Sequence, residues 1–334
     1  MLSFFAPLSP ARRLSLTVVL WLTWASICPA IVLYDTDNAQ ANTTAPGGTY
    51  ADSGWAYQGE YGGFLGTMIG SQYILTAQHF GLQGSTFVSK AAFNGVADVT
   101  YTIDSAANGG QGYWDIAGTD LRVLKINETF SAYAQIYTGT SEAGSTMVTF
   151  GRGGPRGAEI NVSGDVHGWY HTGSDGISRW GANQVDSIAS SGVGSLLVAD
   201  FDGVGGQNEA TLSSGDSGGG VFINVSGQWY LAGINYGVDG FFDTNSTVGD
   251  FSEFNAALFD RGGLYEGNDS AGWNFHTDTA LDKPSHLYAS RVSDSATAIF
   301  SITNINNVPE PGSLGLLLVT GCLALGRRRR TSVL

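Results

Sequence analysis

From about residue 50 to residue 305 the chain sustains no apolar run longer than a single strand. Glycine-rich turns break it roughly every ten residues, a spacing typical of β-barrels and sandwiches. Gly63–Ile69, Gln72–Thr76, Leu121–Ile126 and Gln228–Ile234 are each of strand length and rich in β-branched or aromatic residues. The one exception is a short helical pattern over Ser293–Phe300. The 48 glycines supply the positive φ angles that many tight turns require, and an apolar content of 43% excludes disorder for the bulk of the chain. An all-β fold is therefore expected. No internal repeat is evident, and a polar seam over Asn127–Ser145 separates two strand-rich halves.

The two ends read as addresses. Residues 1–30 hold Arg12 and Arg13, an apolar run from Leu14 to about Cys28, then Pro29-Ala30, the layout of a secretory signal peptide. The run falls short of the roughly 20 residues of a membrane span. The arginine pair fits a twin-arginine signal poorly, and Ile27 is too bulky to precede a lipoprotein cysteine at Cys28. Residues 308–334 run Val308-Pro309-Glu310-Pro311, an apolar stretch Gly312–Gly326, then Arg327 to Arg330. Apolar residues followed by clustered arginines make a short transmembrane stop-transfer segment. In that order the three parts resemble the PEP-CTERM sorting signal of Gram-negative bacteria. The resemblance implies removal by an exosortase and a destination at the cell surface or in an exopolysaccharide matrix. An ordinary membrane anchor is the alternative.

Cys28 and Cys322 are the only cysteines, and both lie in these terminal segments, so the domain between them has no disulfide. A domain of this length can bury enough core to do without one. Without the six arginines and one glutamate of the two ends, nine basic residues face 28 acidic ones, a net charge near −19. So acidic a surface argues against nucleic-acid binding.

Acyl transfer by a serine needs a base, a carboxylate to orient the base, and N–H groups aimed at the developing oxyanion. Ser217 lies in Ser214-Gly215-Asp216-Ser217-Gly218-Gly219-Gly220, where glycines let the backbone turn sharply and free the N–H groups of Gly215 and Ser217. His79 ends the apolar strand Tyr73–Thr76 and is the only one of five histidines so placed. Asp120 opens the strand Leu121–Ile126. Asp115, in Trp114-Asp115-Ile116-Ala117, is its rival, though its apolar run breaks at Gly118-Thr119.

Together these segments resemble the trypsin/chymotrypsin-like serine protease family. Thr76-Ala77-Gln78-His79 is similar to the family's Thr-Ala-Ala-His, and Asp120 to Ile126 to its Asp-Ile-Ala-Leu-Leu-Lys-Leu. Gly215 to Gly219 matches Gly-Asp-Ser-Gly-Gly, with Gly220 in place of a proline. The order His, Asp, Ser is the chymotrypsin order. Gly233-Ile234-Asn235-Tyr236-Gly237 resembles the strand that pairs with substrate backbone, and Tyr288–Ser293 the closing segment. The resemblance spans roughly residues 60 to 300. It implies two antiparallel six-stranded β-barrels with the active site in the cleft between them: one over about 50–130, the other over about 140–300, within a domain 31–305. It also implies a serine endopeptidase that needs neither cofactor nor metal and acts on protein or peptide substrates. Ser217 would be the nucleophile, His79 the base and Asp120 its orienting acid. Gly215 and Ser217 would form the oxyanion hole, and Thr211, Asn235, Tyr236 and Gly237 would contact substrate. A catalytically silent surface- or matrix-binding protein on the same fold is the rival reading, and an esterase using the same triad is a third.

Three departures from the family shape further expectations. No activation-site sequence occurs, but signal peptidase cutting after Ala30 would expose Ile31-Val32 for pairing with Asp216; a second small-x-small site, Ala39-Gln40-Ala41, competes. Thr211 stands where trypsins carry a pocket-floor aspartate, so a neutral or apolar specificity is expected. Glu209 is too uncertainly placed to alter that, and His286, near the pocket wall, reads more simply as a loop residue. An insert over about 238–285, rich in Asp, Asn, Gly and aromatics, reads as a flap or docking surface. Its acidic groups, with Asp200 and Asp202, lack a full calcium-loop pattern.

Overall fold

The computed structural model describes residues 30–305. The expected signal peptide, except for Ala30, and the expected sorting segment 308–334 lie outside these residues, as do both cysteines. Among the described residues no helix is long and apolar enough to cross a membrane.

The chain enters through a two-residue strand, β1 (Val32–Leu33). The first half then forms β2 (Gln58–Tyr61), β3 (Phe64–Gly70), β4 (Tyr73–Ala77), β5 (Thr86–Ser89), β6 (Val99–Thr102), β7 (Tyr113–Asp115) and β8 (Leu121–Lys125). All pair antiparallel in the order β6-β5-β2-β3-β4-β8-β7. Just past β6 and β8, Ile103 bridges Ile126, and Asp104 N–H donates to the Lys125 carbonyl at 2.8 Å. That contact closes six strands into a barrel and leaves β7 as an outer hairpin strand on β8.

The stretch 127–145 then crosses to the second half. Ala134 N–H donates to Met68 of the first barrel, and Tyr137 N–H to Leu231 of the second. The strands that follow are β9 (Thr146–Gly151), β10 (Arg156–Val162), β11 (Asp165–His171), β12 (Arg179–Gln184), β13 (Ser187–Ser191), β14 (Gly194–Asp200), β15 (Ala210–Thr211), β16 (Gly220–Val225) and β17 (Gln228–Val238). After them come β18 (Phe242–Asp243), β19 (Ala256–Leu258), β20 (Tyr265–Asn268), β21 (Gly272–Phe275) and β22 (His286–Arg291). The main sheet runs β12-β9-β16-β17-β22-β14-β13. Only Val185 and Asp186 separate β12 from β13, and Asp186 N–H donates to Val198 of β14 at 2.9 Å. One length of chain thus touches β9 at one end and β14 at the other, closing a second six-stranded barrel. The fold is all-β, with two antiparallel barrels, as the sequence implied.

Strands that face both a barrel interior and the other barrel are buried on both sides, which is why they read as unbroken apolar runs. In β4, Ile74 packs inside the first barrel with Leu124, Phe87 and Tyr61, while Leu75 and Ala77 face the junction. In β16, Val221 and Ile223 fill the second barrel and Phe222 joins the junction with Phe150, Leu65 and Trp55. After a 3₁₀ turn at Ser293–Ser295, the helix Ala296–Thr303 carries Ile299 into the same junction. The helical signal read over Ser293–Phe300 is this element.

The segment between β17 and β22 is built into the second half. β19 pairs with β11, extending the β10-β11 hairpin, and β18-β20-β21 form a further three-stranded sheet. At the other end of the chain β1 pairs with β15, Val32 opposite Thr211. Arg179, fully buried, donates to the Ala39 carbonyl, and the Trp180 indole donates to Thr44. Residues 31–44 are therefore an integral part of the second barrel.

Candidate active site

β4 ends in the first barrel with Thr76 buried, its hydroxyl donating to the Leu65 carbonyl at 2.8 Å. The chain then turns, and Gln78 N–H is caught by the Asp120 carbonyl at 2.8 Å. This fixes His79 beside Asp120, which immediately precedes β8, the strand paired with β4. Asp120 is buried and accepts twice from one residue: from His79 N–H at 2.9 Å and at the ring Nδ1 at 2.6 Å. With Nδ1 so held, Nε2 is directed at Ser217 Oγ, 2.8 Å away. The imidazole side chain remains 35% exposed, enough for an approaching molecule to reach it. Phe80 and Tyr236 meet the ring edge to face, with centroids at 5.6 and 5.7 Å. Asp115, the rival carboxylate, is instead engaged by Arg122 at 2.7 and 3.0 Å.

Ser217 comes from the second barrel, in the loop between β15 and β16. Asp216, Gly218 and Gly219 give their N–H groups to the carbonyls of Ser213, Asn235 and Asp216. Among the described residues the N–H groups of Gly215 and Ser217 have no such partner. Gly215 adopts φ +102°, and a Cβ there would lie 2.9 Å from Gly153 Cα, so conformation and space both require glycine. Gly220 N–H donates to Gln58 Oε1 at 3.1 Å, a bond that a proline at this position would delete. Gln58 in turn bonds Thr67, so the serine loop is tied to the first barrel.

Asp216 anchors the loop from inside. Its wholly buried carboxylate accepts from Gly153 N–H at 2.7 Å, Ser213 N–H at 2.7 Å and Ser213 Oγ at 3.1 Å, and also from Ile31 N–H. Burial pushes this carboxyl up to about 6 in spite of these donors. Gly153 was not singled out from the sequence. The run Gly151-Arg152-Gly153-Gly154, starting on the last residue of the apolar strand β9, was the available signal, since side chains at 151 and 153 would strike Asp216.

The four expected substrate contacts fare differently. Tyr236 is a bulged residue in β17, opposite the gap between Ala289 and Tyr288 of β22, and leans on His79. A side chain at Gly237 would meet nothing within 4 Å, so the strand lies open there. Asn235 is buried, and its backbone is occupied by Gly218 and Gly219. Its side chain bridges Thr149, Phe150 and Asp216 at 2.8–3.0 Å, positioning the serine loop from beneath. Thr211 is buried in β15, and its hydroxyl has no hydrogen-bond partner among the described residues.

His286, read as a loop residue, opens β22. Its Nδ1 meets Asp239 at 2.6 Å and its Nε2 lies 3.3 Å from Asp200. The bond to Asp239 raises the imidazole pKa. Glu209 is buried two residues before Thr211, and burial pushes its carboxyl up to about 8.

No protein-family model matches the chain, and no curated protein matches it. Among solved structures, neuropsin, a serine protease expressed in the limbic system of mouse brain, is similar with a TM-score of 0.43 and 12% identity. The similarity covers 75% of this chain and 94% of that one.

Proposed function

We propose that the chain is an exported serine endopeptidase. What carries the reading is the unbroken line of short contacts from Asp120 through His79 to Ser217, beside two N–H groups without partners among the described residues. Ser217 Oγ attacks a peptide carbonyl as His79 Nε2 takes its proton. Asp120 holds the imidazole tautomer and balances the imidazolium, and the Gly215 and Ser217 N–H groups receive the oxyanion. His79 then returns the proton to the leaving amine, and water hydrolyses the acyl-enzyme by the same relay.

The preferred substrate side chain before the scissile bond is neutral. Thr211 offers no charge, and the His286 ring is engaged by Asp239 and Asp200. The start of the active chain is Ile31, released by a cut after Ala30. A cut after Ala41 would strip away β1 and the carbonyl that Arg179 binds. The termini support export and exosortase sorting to the cell surface or matrix.

A fluorophosphonate probe on purified protein, compared with Ser217→Ala, tests the chemistry. Labelling of the first alone is expected. Absence of labelling in protein shown by sequencing to begin at Ile31 would favour the silent binding protein. A fluorogenic peptide panel then separates peptidase from esterase, and rapid cleavage after Arg would overturn the neutral pocket.

A further inference from the structure

The flank of the second barrel gathers three potential metal ligands that the proposed catalysis does not use. His167, in the middle of β11, is buried with its side chain only 5% exposed, and its Nδ1 has no hydrogen-bond partner among the described residues. Asp260 Oδ2 stands 3.4 Å from that nitrogen. Asp260 is pinned there from two sides. Its backbone N–H donates to the His167 carbonyl at 3.2 Å, and its Oδ1 is spent on the N–H groups of Gly262 and Lys283 at 2.8 and 3.0 Å. Only Oδ2 is left facing the ring.

Asp278 supplies the third group. It is exposed and carries no hydrogen bond or ion pair among the described residues. One ligand atom from each of the three lies within 4.8 Å of the others. Gly262 keeps the space between the carboxylates clear, since a Cβ there would come within 3.0 Å of Asp278 Oδ1 and 3.1 Å of both Asp260 oxygens. Lys283 does not fill it, because its ammonium donates to the Thr277 carbonyl.

From this geometry we infer a binding site for a divalent transition metal, with zinc as the reference ion. Two carboxylates and one neutral imidazole match a dication, and two carboxylates this close repel one another without a cation. The 3.4 Å separation of Nδ1 and Oδ2 is close to the edge of a tetrahedron with metal–ligand bonds of about 2.0–2.1 Å. An imidazole nitrogen in the set selects transition metals over calcium, which takes about 6–8 oxygens. Asp278 opens to solvent, so water completes the coordination. The ion joins β11 to both sides of the loop that carries β20 and β21, a cross-link in a domain without disulfides.

The test uses the exported protein carrying Ser217→Ala, which prevents self-cleavage. After chelator dialysis it is titrated with zinc chloride alone, with heat and the thermal midpoint as readouts. One zinc per chain is expected, with a rise in the midpoint. Asp278→Asn should weaken zinc at least about tenfold and abolish the rise. His167→Gln should do the same; because it alters a buried residue, surface Asp278→Asn carries the test if that variant does not fold. Absence of zinc binding, unchanged zinc binding in Asp278→Asn, or tighter binding of calcium than zinc would each overturn the assignment.

Discussion

Replacing Glu209 by glutamine should make this protein more stable in alkali while changing it little in acid. The carboxyl is 3% exposed, and Asp202, Asp186 and Asp200 crowd it with like charge. Its one backbone donor, Asp202 N–H at 3.2 Å, does not compensate for burial, and its pKa rises from 4.5 to about 8. A carboxyl whose folded pKa lies above its unfolded value holds its proton more tightly when folded. The folded state is therefore favoured at low pH and loses that advantage as pH rises from 4.5 through 8.

Each unit of separation is worth about 1.4 kcal/mol, so the loss between pH 5 and pH 8 comes to about 3 kcal/mol. Glutamine keeps an oxygen for Asp202 N–H and carries no titrating proton. Thermal melts of Ser217→Ala, with and without Glu209→Gln, should nearly coincide at pH 5. By pH 8 they should part by roughly 6–12 °C, the glutamine form being the more stable. Asp216, displaced in the same direction, is present in both proteins and cancels. Parallel curves across that range would refute the reasoning, because a solvated Glu209 would give no gap that grows with pH.

Asp120→Asn should leave folding intact and lower kcat by about 10⁴ against a peptide substrate, because the imidazole loses the anion that fixes its tautomer; steady-state kinetics check this. Gly220→Pro removes the N–H that Gln58 accepts and adds carbon beside Thr67, so denaturant melts should show a loss of at least about 2 kcal/mol. Arg179→Met strands the Asp175 carboxylate, which the buried guanidinium holds at 2.9 and 3.2 Å. The cost should be about 3–5 kcal/mol, with protease nicking near residues 35–45 as the chain there comes loose.

The barrel strands were legible because their burial on both faces leaves few polar positions. The runs at 63–69, 72–76, 121–126 and 228–234 fall in β3, β4, β8 and β17. His79, Asp120 and Ser217 were legible because each sits at a strand end or in the loop leading into one, where local sequence fixes the backbone. The segment after β17 was not. Its strands are two to four residues long, too short to show a period: β18 and β19 are buried throughout, while β20 and β21 expose polar residues. What organises them is the pairing of β19 with β11, across some ninety residues of sequence. The supporting role of Asn235 was hidden for a related reason: its side chain turns inward to Phe150 and Asp216, contacts made across the sheet and loop rather than along the strand. The His167–Asp260–Asp278 cluster has no local spacing pattern at all.

The serine loop has two supports, and they pull on Asp216 differently. Gly153 and Ser213 hold its carboxylate with neutral dipoles, which leave it at about 6. Ile31, buried and followed directly by β1, offers only an amide N–H while residue 30 remains attached. A chain beginning at Ile31 presents an α-ammonium at the same point, with an ordinary pKa of about 7.7–8. The charge pair drives Asp216 downward and reverses the sign of its contribution. Stability that fell with rising pH is then held until the amine itself deprotonates. The open N–H groups of Gly215 and Ser217 flank this one carboxylate, so the proposed cut after Ala30 bears on catalysis as well as export. Activity of the Ile31 form should fall as pH climbs past the amine's titration, whereas a form that retains Ala30 should lack that alkaline limb. Identical pH profiles for the two would separate the serine loop from the chain terminus.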